Sequence, residues 1–500
     1  MKTFAAALSA CGGVETARAE IPEGLRIDYA LRPSSDSLIR CQVILPPPER
    51  WTGRLWGQGN GGGGGGAPSA MPAFARVGDA VVHTDLGTSD NRAFGKPEVW
   101  EDFAHRATHL MTRSAKALAE TFYGRPPVRA YFYGASTGGN QGLMEAQRYP
   151  DDYDAVLAIV PALARVSYHV KYVWNMRQIS RPDGARAISD AQIAVVERAV
   201  LDWFADKDEP YAAGRFLTDG RWTQADEDGI LALAASRDAS LGDPDLRARF
   251  HRIWTGAVVN GRRASYGLPF GARLSVWIGK DYADSESWLW NWLDGRNRPL
   301  LSITDDELER WASGPGAVFN AMDPDLSRFA ARGGKLLMTA GLEDDICEPT
   351  AHIAYAEAAA HAAGGVEKLS DFFRLYLNPG RAHGSGHHQG ICDLADMWSA
   401  LVDWREKGIA PDILQGVYDW SEAGFPDRVY GGPSKDPRGY PVAPWPDKMA
   451  GSAETGWRRV PFGRGGVPCQ LGGLGGIQGS RNARKTRKDP VAEAETFLVP

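Results

Sequence analysis

The first chemistry this chain offers is a serine with a glycine two positions away on each side, followed far downstream by acidic residues and a histidine. Gly134-Ala135-Ser136-Thr137-Gly138 lies between the apolar run Val128, Ala130, Tyr131, Phe132 and Tyr133 and the helix-forming stretch Gln141 to Tyr149, which stops at Pro150. The apolar run has the aromatic and β-branched content of a buried strand, so the serine falls on a strand-to-helix turn. Small residues at the two flanking positions let strand and helix approach closely, which strains the turn, projects the hydroxyl and leaves nearby amides free. That geometry serves nucleophilic attack on an acyl carbon. Glycine and serine also populate ordinary turns, so the flanking elements carry the signal and the pentapeptide alone does not.

A serine hydroxyl is a weak nucleophile without a base, and the base needs an orienting carboxylate. Both types follow in the order acid, then histidine. Lys335 to Ala340 reads as another buried strand and runs into Gly341-Leu342-Glu343-Asp344-Asp345 before Pro349. Three acids stand at that strand end, and their spacing leaves the choice open. Phe372 to Leu377 reads as a further strand, after which Asn378-Pro379-Gly380 turns the chain toward His383. Leu394, Met397, Trp398, Leu401 and Val402 then recur at helical spacing and predict a helix packed back on the sheet.

An acyl-transfer site also needs donors for the oxyanion. The amide of Thr137 is one candidate, and the glycine run Gly61 to Gly66, directly after a strand, supplies the other from Gly61 or Gly62. The competing reading of that run is a flexible linker. Asp85 at a strand end lines the site or caps a turn. Trp288, Trp290 and Trp292 alternate, and either pack a core or hold an aromatic substrate. His387 and His388, with Cys392 nearby, have metal-like spacing but no zinc framework around them, so no metal is expected there.

Five hundred residues, 43% of them hydrophobic, with a net charge of −6, describe a globular protein with no electrostatic reason to bind nucleic acid. No run is long and apolar enough to cross a membrane. About 170 residues separate the strand predicted at Ala155 to Val160 from the acid loop, too many for a loop. The expectation is therefore an α/β core in two parts, 1–164 and 331–463, interrupted by a mainly helical lid at 165–330. Its clearest helices are Ala191 to Phe204 and Asp226 to Ala235. Beyond about Gly463 the chain turns glycine-rich and then basic, from Arg481 to Lys488, so 464–500 is expected to be a disordered tail. The apolar stretch before Cys11 is short for a signal peptide, and five cysteines are an odd number. A cytoplasmic location is expected, with export left open.

Several blocks together resemble the tannase and feruloyl esterase family of α/β-hydrolases. They are GASTGGNQGLMEAQRYPDDYDAV, GLEDDICEP, DFFRLYLNPGRAH, DWREKGIAPD, WTGRLWGQGNGGGGGG, VVHTDLGTSD and DFAHRATHLMTRSAKALAETFYG, and RFHRIWTGAVVNGRRASYGLPFG is similar to a lid block. The resemblance places the nucleophile on Ser136, the acid on Asp344 and the base on His383. It implies an α/β-hydrolase core and esters of phenolic acids, gallate or hydroxycinnamate, as substrates. Other aryl esters such as mono(hydroxyethyl) terephthalate, or a non-catalytic binder on the same scaffold, are the alternatives. The partner implied is a small-molecule aromatic ester, and the oligomeric state is left open. One departure stands out: members typically carry a cysteine before the serine and another after the histidine, joined as a disulfide, where this chain has Ala135 and Gly384. Family lids often hold calcium. The corresponding ADKDEPYAAGRF keeps Asp206 and Asp208 but not the pattern, so no cofactor is expected.

Overall fold

The computed structural model describes residues 3–89, 92–181, 183–205, 217, 223–274, 287–384, 393–395, 397–417, 440–452 and 456–462. Asp206, Asp208, His387, His388, Cys392 and the expected tail 464–500 lie outside the described residues, as does the expectation attached to each.

A nine-stranded sheet organises the chain. Its strands are β1 (Gly13–Ile21), β2 (Gly24–Leu31), β3 (Ile39–Leu45), β4 (Arg54–Gln58), β5 (Ala80–Thr84), β6 (Arg129–Ala135), β7 (Ala155–Ile159), β8 (Lys335–Gly341) and β9 (Phe373–Asn378), in the spatial order β1-β2-β3-β5-β4-β6-β7-β8-β9. The first three pair antiparallel, and β3 pairs antiparallel with β5. From β5 onward every pairing is parallel. The composition explains the difference. Strand β2 alternates buried and half-buried residues, whereas β7 is buried throughout and β8 everywhere but its first residue. Continuous apolar runs of that kind belong in parallel strands covered on both faces.

The covering helices are α2 (Ala107–Tyr123) and α3 (Thr137–Arg148) on one face and α10 (Met397–Lys407) on the other. Ala130 and Phe132 of β6 join a core with Met111, Leu143 and Met144, while Tyr131 and Tyr133 join Trp56, Met397, Trp398 and Leu401. This is the period-two alternation of a strand, with each face of β6 supplying a different layer. Leu394, read above as the start of the last helix, belongs instead to a two-residue strand, and the helix begins at Met397. The apolar N-terminal stretch forms α1 (Phe4–Ser9), which packs on α2 with Leu8 fully buried.

Between β7 and β8 the chain inserts α4 (Arg165–Ile179), α5 (Asp190–Phe204), α6 (Gln224–Arg237), α7 (Pro244–Thr255) and α8 (Trp288–Asp294). Ser189 caps α5 and Thr223 caps α6, each in a reciprocal pair with the side chain three residues on. The insertion shares its core with the sheet: Val166, Val170, Ile193, Trp254 and Trp290 belong to the same apolar cluster as Phe132, Val156 and Met338. Helix α9 (Pro349–Ala363) follows the acid loop. Among the described residues no helix is long and apolar enough to cross a membrane.

Because β4 sits between β5 and β6, the chain leaves β4 in one direction and returns on its other side at β6. Ligands of open α/β sheets bind at the carboxyl ends of strands where the order reverses in this way. The glycine run follows β4 and the serine follows β6, so the topology alone brings these two segments together.

Candidate active site

Ser136 follows the last residue of β6 and precedes the first of α3, with φ 58° and ψ −115°, a backbone region that non-glycine residues rarely adopt. Neighbouring contacts hold it there. Its amide donates to the Ile159 carbonyl at 2.9 Å, and the Gly138 amide donates to the Asn60 carbonyl at 2.7 Å. A side chain at Gly134 would come within 2.5 Å of Gly138, and one at Gly59 equally close to the same residue. The small residues flanking the serine are therefore required by the crossing of β6, α3 and the glycine run.

Thr137 opens α3, where an amide has no intrahelical partner. Its hydroxyl donates to the Gly62 carbonyl at 2.5 Å. The run is no free linker: the Gly65 amide donates to Asp85 O, and Thr88 Oγ1 to Gly63 O. Gly62, with φ 52°, lines a cavity that Gly61 does not reach.

The acid loop leaves β8, and Asp344 is fully buried. Its Oδ1 accepts the amides of Ile346 at 2.9 Å and Cys347 at 2.8 Å, and His383 Nδ1 lies 3.0 Å from Oδ2. Burial alone would push Asp344 up, but His383 and the two amides outweigh it and hold the carboxyl below its ordinary value. For His383, burial opposes protonation, yet the adjoining Asp344 and the Cys347 thiol win, and the imidazole is raised well above the ordinary histidine value. Neither neighbouring acid is hydrogen-bonded to the imidazole. Glu343 accepts the Leu217 amide at 3.1 Å, and Asp345 lies 3.9 Å from Arg273. Of the three acids the sequence left open, Asp344 is the one against His383.

Ser136 and His383 line one cavity of about 170 Å³ with Gly62, Ala162, Arg165, Tyr168, His169, Tyr172, Ile346 and Cys347. The bond from Ser136 to His383 that proton transfer needs is not formed in this structure; such bonds commonly tighten only with substrate in place. Arg165, Tyr168, His169 and Tyr172 stand at i, i+3, i+4 and i+7, so one face of α4 makes the cavity wall. That spacing is a signal the sequence already carries.

None of Trp288, Trp290, Trp292 and Asp85 lines the cavity. Alternation in sequence becomes opposition on a helix: Trp288 and Trp292 share a face of α8 and pack on Phe103 with centroids 5.4 and 5.1 Å away. Trp290, on the other side, stacks on Trp311 and donates to His169 O. Asp85 is buried in a turn, accepting from the amides of Arg40 and Gly87 and from Ser89 Oγ.

The insertion also grips the acid loop from below. Lys171 of α4 and Glu348 are both fully buried and paired, and Lys171 Nζ donates to Ile346 O at 2.8 Å. Burial pushes the Glu348 carboxyl up to about 7 against the pull of Lys171. Removing one partner of such a pair strands the other, so Lys171→Met is expected to cost about 3 to 5 kcal/mol in denaturant unfolding. Lys171→Met combined with Glu348→Leu should recover most of that loss. Equal losses in the single and double variants would contradict the pairing.

The sequence comparisons agree with this geometry. The model of the family described as tannase and feruloyl esterase matches residues 29–302 and 301–454. A probable feruloyl esterase of Arthroderma benhamiae is 30% identical over 410 residues, covering 74% of each chain. The chain belongs to the tannase and feruloyl esterase family. A probable feruloyl esterase B-1 of Aspergillus oryzae is 28% identical over 82% of this chain and 80% of that one. Among solved structures, feruloyl esterase B from Aspergillus oryzae superposes with a TM-score of 0.73 at 21% identity, covering 92% of this chain and all of that one. The tannin acyl hydrolase from Aspergillus niger gives 0.68 at 18%, covering 90% of each. The fold is that of the α/β-hydrolases, and the protein is a carboxylic ester hydrolase acting on a small-molecule ester.

This esterase holds its loops without the cysteine pair. Ala135 and Gly384 stand at those places, and Cys11, Cys41 and Cys347 are free thiols. The histidine loop is tied to the acid loop: the Leu342 amide donates to Asn378 O and the Glu343 amide to Arg381 O, both at 3.0 Å, and Gly341 lets the Arg381 backbone approach as no side chain would. Dithiothreitol is accordingly expected to leave the esterase rate unchanged in a timed assay, and strong inactivation would contradict packing as the tie.

Proposed function

We propose that this esterase hydrolyses esters of phenolic acids, of the gallate or hydroxycinnamate kind, through an acyl-enzyme on Ser136. His383 takes the hydroxyl proton as Ser136 attacks the ester carbonyl, and Asp344 holds the imidazole in one tautomer and stabilises the imidazolium. The amides of Thr137 and Gly62 receive the oxyanion. The alcohol departs with the proton from His383, and water activated by the same imidazole releases the acid. No cofactor enters the route. The observation that carries the reading is the Asp344 to His383 bond, with His383 lining the same cavity as a serine on a strained elbow. The phenolic class is supported by the names of the relatives and by the tyrosines and histidine of the α4 wall, which offer ring faces and polar tips together.

The test is hydrolysis of methyl gallate, methyl ferulate, mono(hydroxyethyl) terephthalate and p-nitrophenyl acetate by the purified protein. The expected outcome is that a phenolic ester gives the highest kcat/KM, and preference for the terephthalate or the acetate would contradict the substrate class. The pH dependence gives a separate check. Because the base must be unprotonated to act and His383 is raised, kcat/KM is expected to climb with pH through a midpoint above about 6.5, the ordinary histidine value. An acid limb centred below 6 would contradict the pairing with Asp344.

A further inference from the structure

A buried cation stands beside the proposed oxyanion site. Arg165 is 4% exposed, and its guanidinium lies 5.7 Å from the centre of the Phe103 ring and 5.5 Å from that of Trp288. One of its N–H groups donates to Thr137 Oγ1 at 2.8 Å, and the same hydroxyl donates to the Gly62 carbonyl at 2.5 Å. Guanidinium nitrogens only donate, so Thr137 Oγ1 must accept from Arg165 and spend its single proton on Gly62. The resulting chain joins the inserted helix, the elbow and the glycine run. These last two are the segments whose amides, on the reading above, meet at the oxyanion.

We infer that Arg165 is a positioning residue for that oxyanion. It acts in two ways through the same contact. The chain through Thr137 sets the separation of the elbow and the glycine run, so that the amides of Thr137 and Gly62 converge on one oxygen. The guanidinium, which does not lose its proton at any working pH, keeps a fixed positive charge beside the point where negative charge develops. The aromatic faces of Phe103 and Trp288 hold the cation in place and keep water from screening it. The same charge disfavours an imidazolium nearby, and Asp344 in contact with His383 offsets that effect. This gives the first inserted residue a part in chemistry, and gives Trp288 an indirect one as support for Arg165.

The inference rests on the serine-esterase reading, and the experiment separates the two. Methyl ferulate turnover and inhibition by an arylboronic acid would be measured for wild type, Arg165→Met, Arg165→Lys and Thr137→Val, with Tm recorded for each. A boronate on Ser136 is tetrahedral and anionic, so it reports oxyanion stabilisation in a ground state. Arg165→Met is expected to lower kcat by about 10- to 100-fold, with KM within about threefold, and to weaken boronate inhibition by a similar factor. Arg165→Lys should restore part of both, since it returns the charge, and Thr137→Val should reproduce part of the kcat loss by cutting the chain. A rise in KM at constant kcat would overturn the inference, because Arg165 would then hold the ground-state substrate. Equal losses in the Met and Lys variants with lowered Tm and unchanged boronate affinity would also overturn it, leaving a structural role. A wild-type protein inactive on every ester would sink the esterase reading first and this inference with it.

Discussion

Alanine in place of Ser136 is expected to lower kcat for any ester the protein turns over by about 10⁴- to 10⁶-fold, the scale on which loss of a triad nucleophile is felt, with little change in KM. The expectation follows from what else lines the cavity. The tyrosine hydroxyls of Tyr168 and Tyr172 are buried, and Tyr168 is held far from ionisation by that burial. Cys347 is the one other nucleophile facing the cavity among the described residues, and burial raises its thiol, so it stays protonated and sluggish. Ser136 combines a projecting position on the strained elbow with a base across the same cavity, whereas Cys347, though in contact with His383, is buried. Residual activity above about 1% in a contaminant-free preparation would move attention to Cys347.

The second large effect is expected at the acid. Asp344→Asn should lower kcat by about 10⁴-fold, because an amide at that place no longer fixes the tautomer in which His383 can accept the serine proton. Glu343→Gln and Asp345→Asn, one residue to either side, should each cost less than about tenfold, since neither carboxylate is hydrogen-bonded to the imidazole. The contrast is the informative part. Steady-state kinetics on the three variants would check it, and a loss at Asp345→Asn as large as at Asp344→Asn would contradict the placement of His383.

Much of this site could be read from residues whose roles depend on local chemistry. A glycine two positions either side of a serine, between a strand and a helix, already implies the close crossing that a side chain at Gly134 or Gly59 would block. The strands before the acid and histidine loops announced themselves because parallel strands are buried on both faces and read as unbroken apolar runs. The resemblance to a family then picked Asp344 from three adjacent acids, which spacing could not do. The remainder depended on how the insertion packs. Trp288, Trp290 and Trp292 show no common face until a helix over 288–294 sends two of them to Phe103 and one to Trp311. The α4 face was present as a helical stripe, yet polar and aromatic residues in a buried helix look like core until a cavity opens beside them. Gly61 and Gly62 are identical in type and neighbours in sequence. Only the position of the Thr137 hydroxyl and the cavity separates them.

The N-terminal stretch shows the same dependence on packing. The apolar segment ahead of Cys11 forms α1, which packs on α2 with Leu8 buried. An apolar surface has to be covered, and sequence alone does not say by what.

The central claim is an acyl-enzyme on Ser136. Rapid acid quench of the protein with p-nitrophenyl acetate or methyl ferulate, followed by digestion and mass spectrometry, tests it most directly. The account predicts one acyl group, on the peptide carrying Ser136, formed in a burst and absent from Ser136→Ala. An acyl group on Cys347 or on another residue, or turnover with no covalent adduct under conditions where the burst of alcohol product is seen, would contradict it.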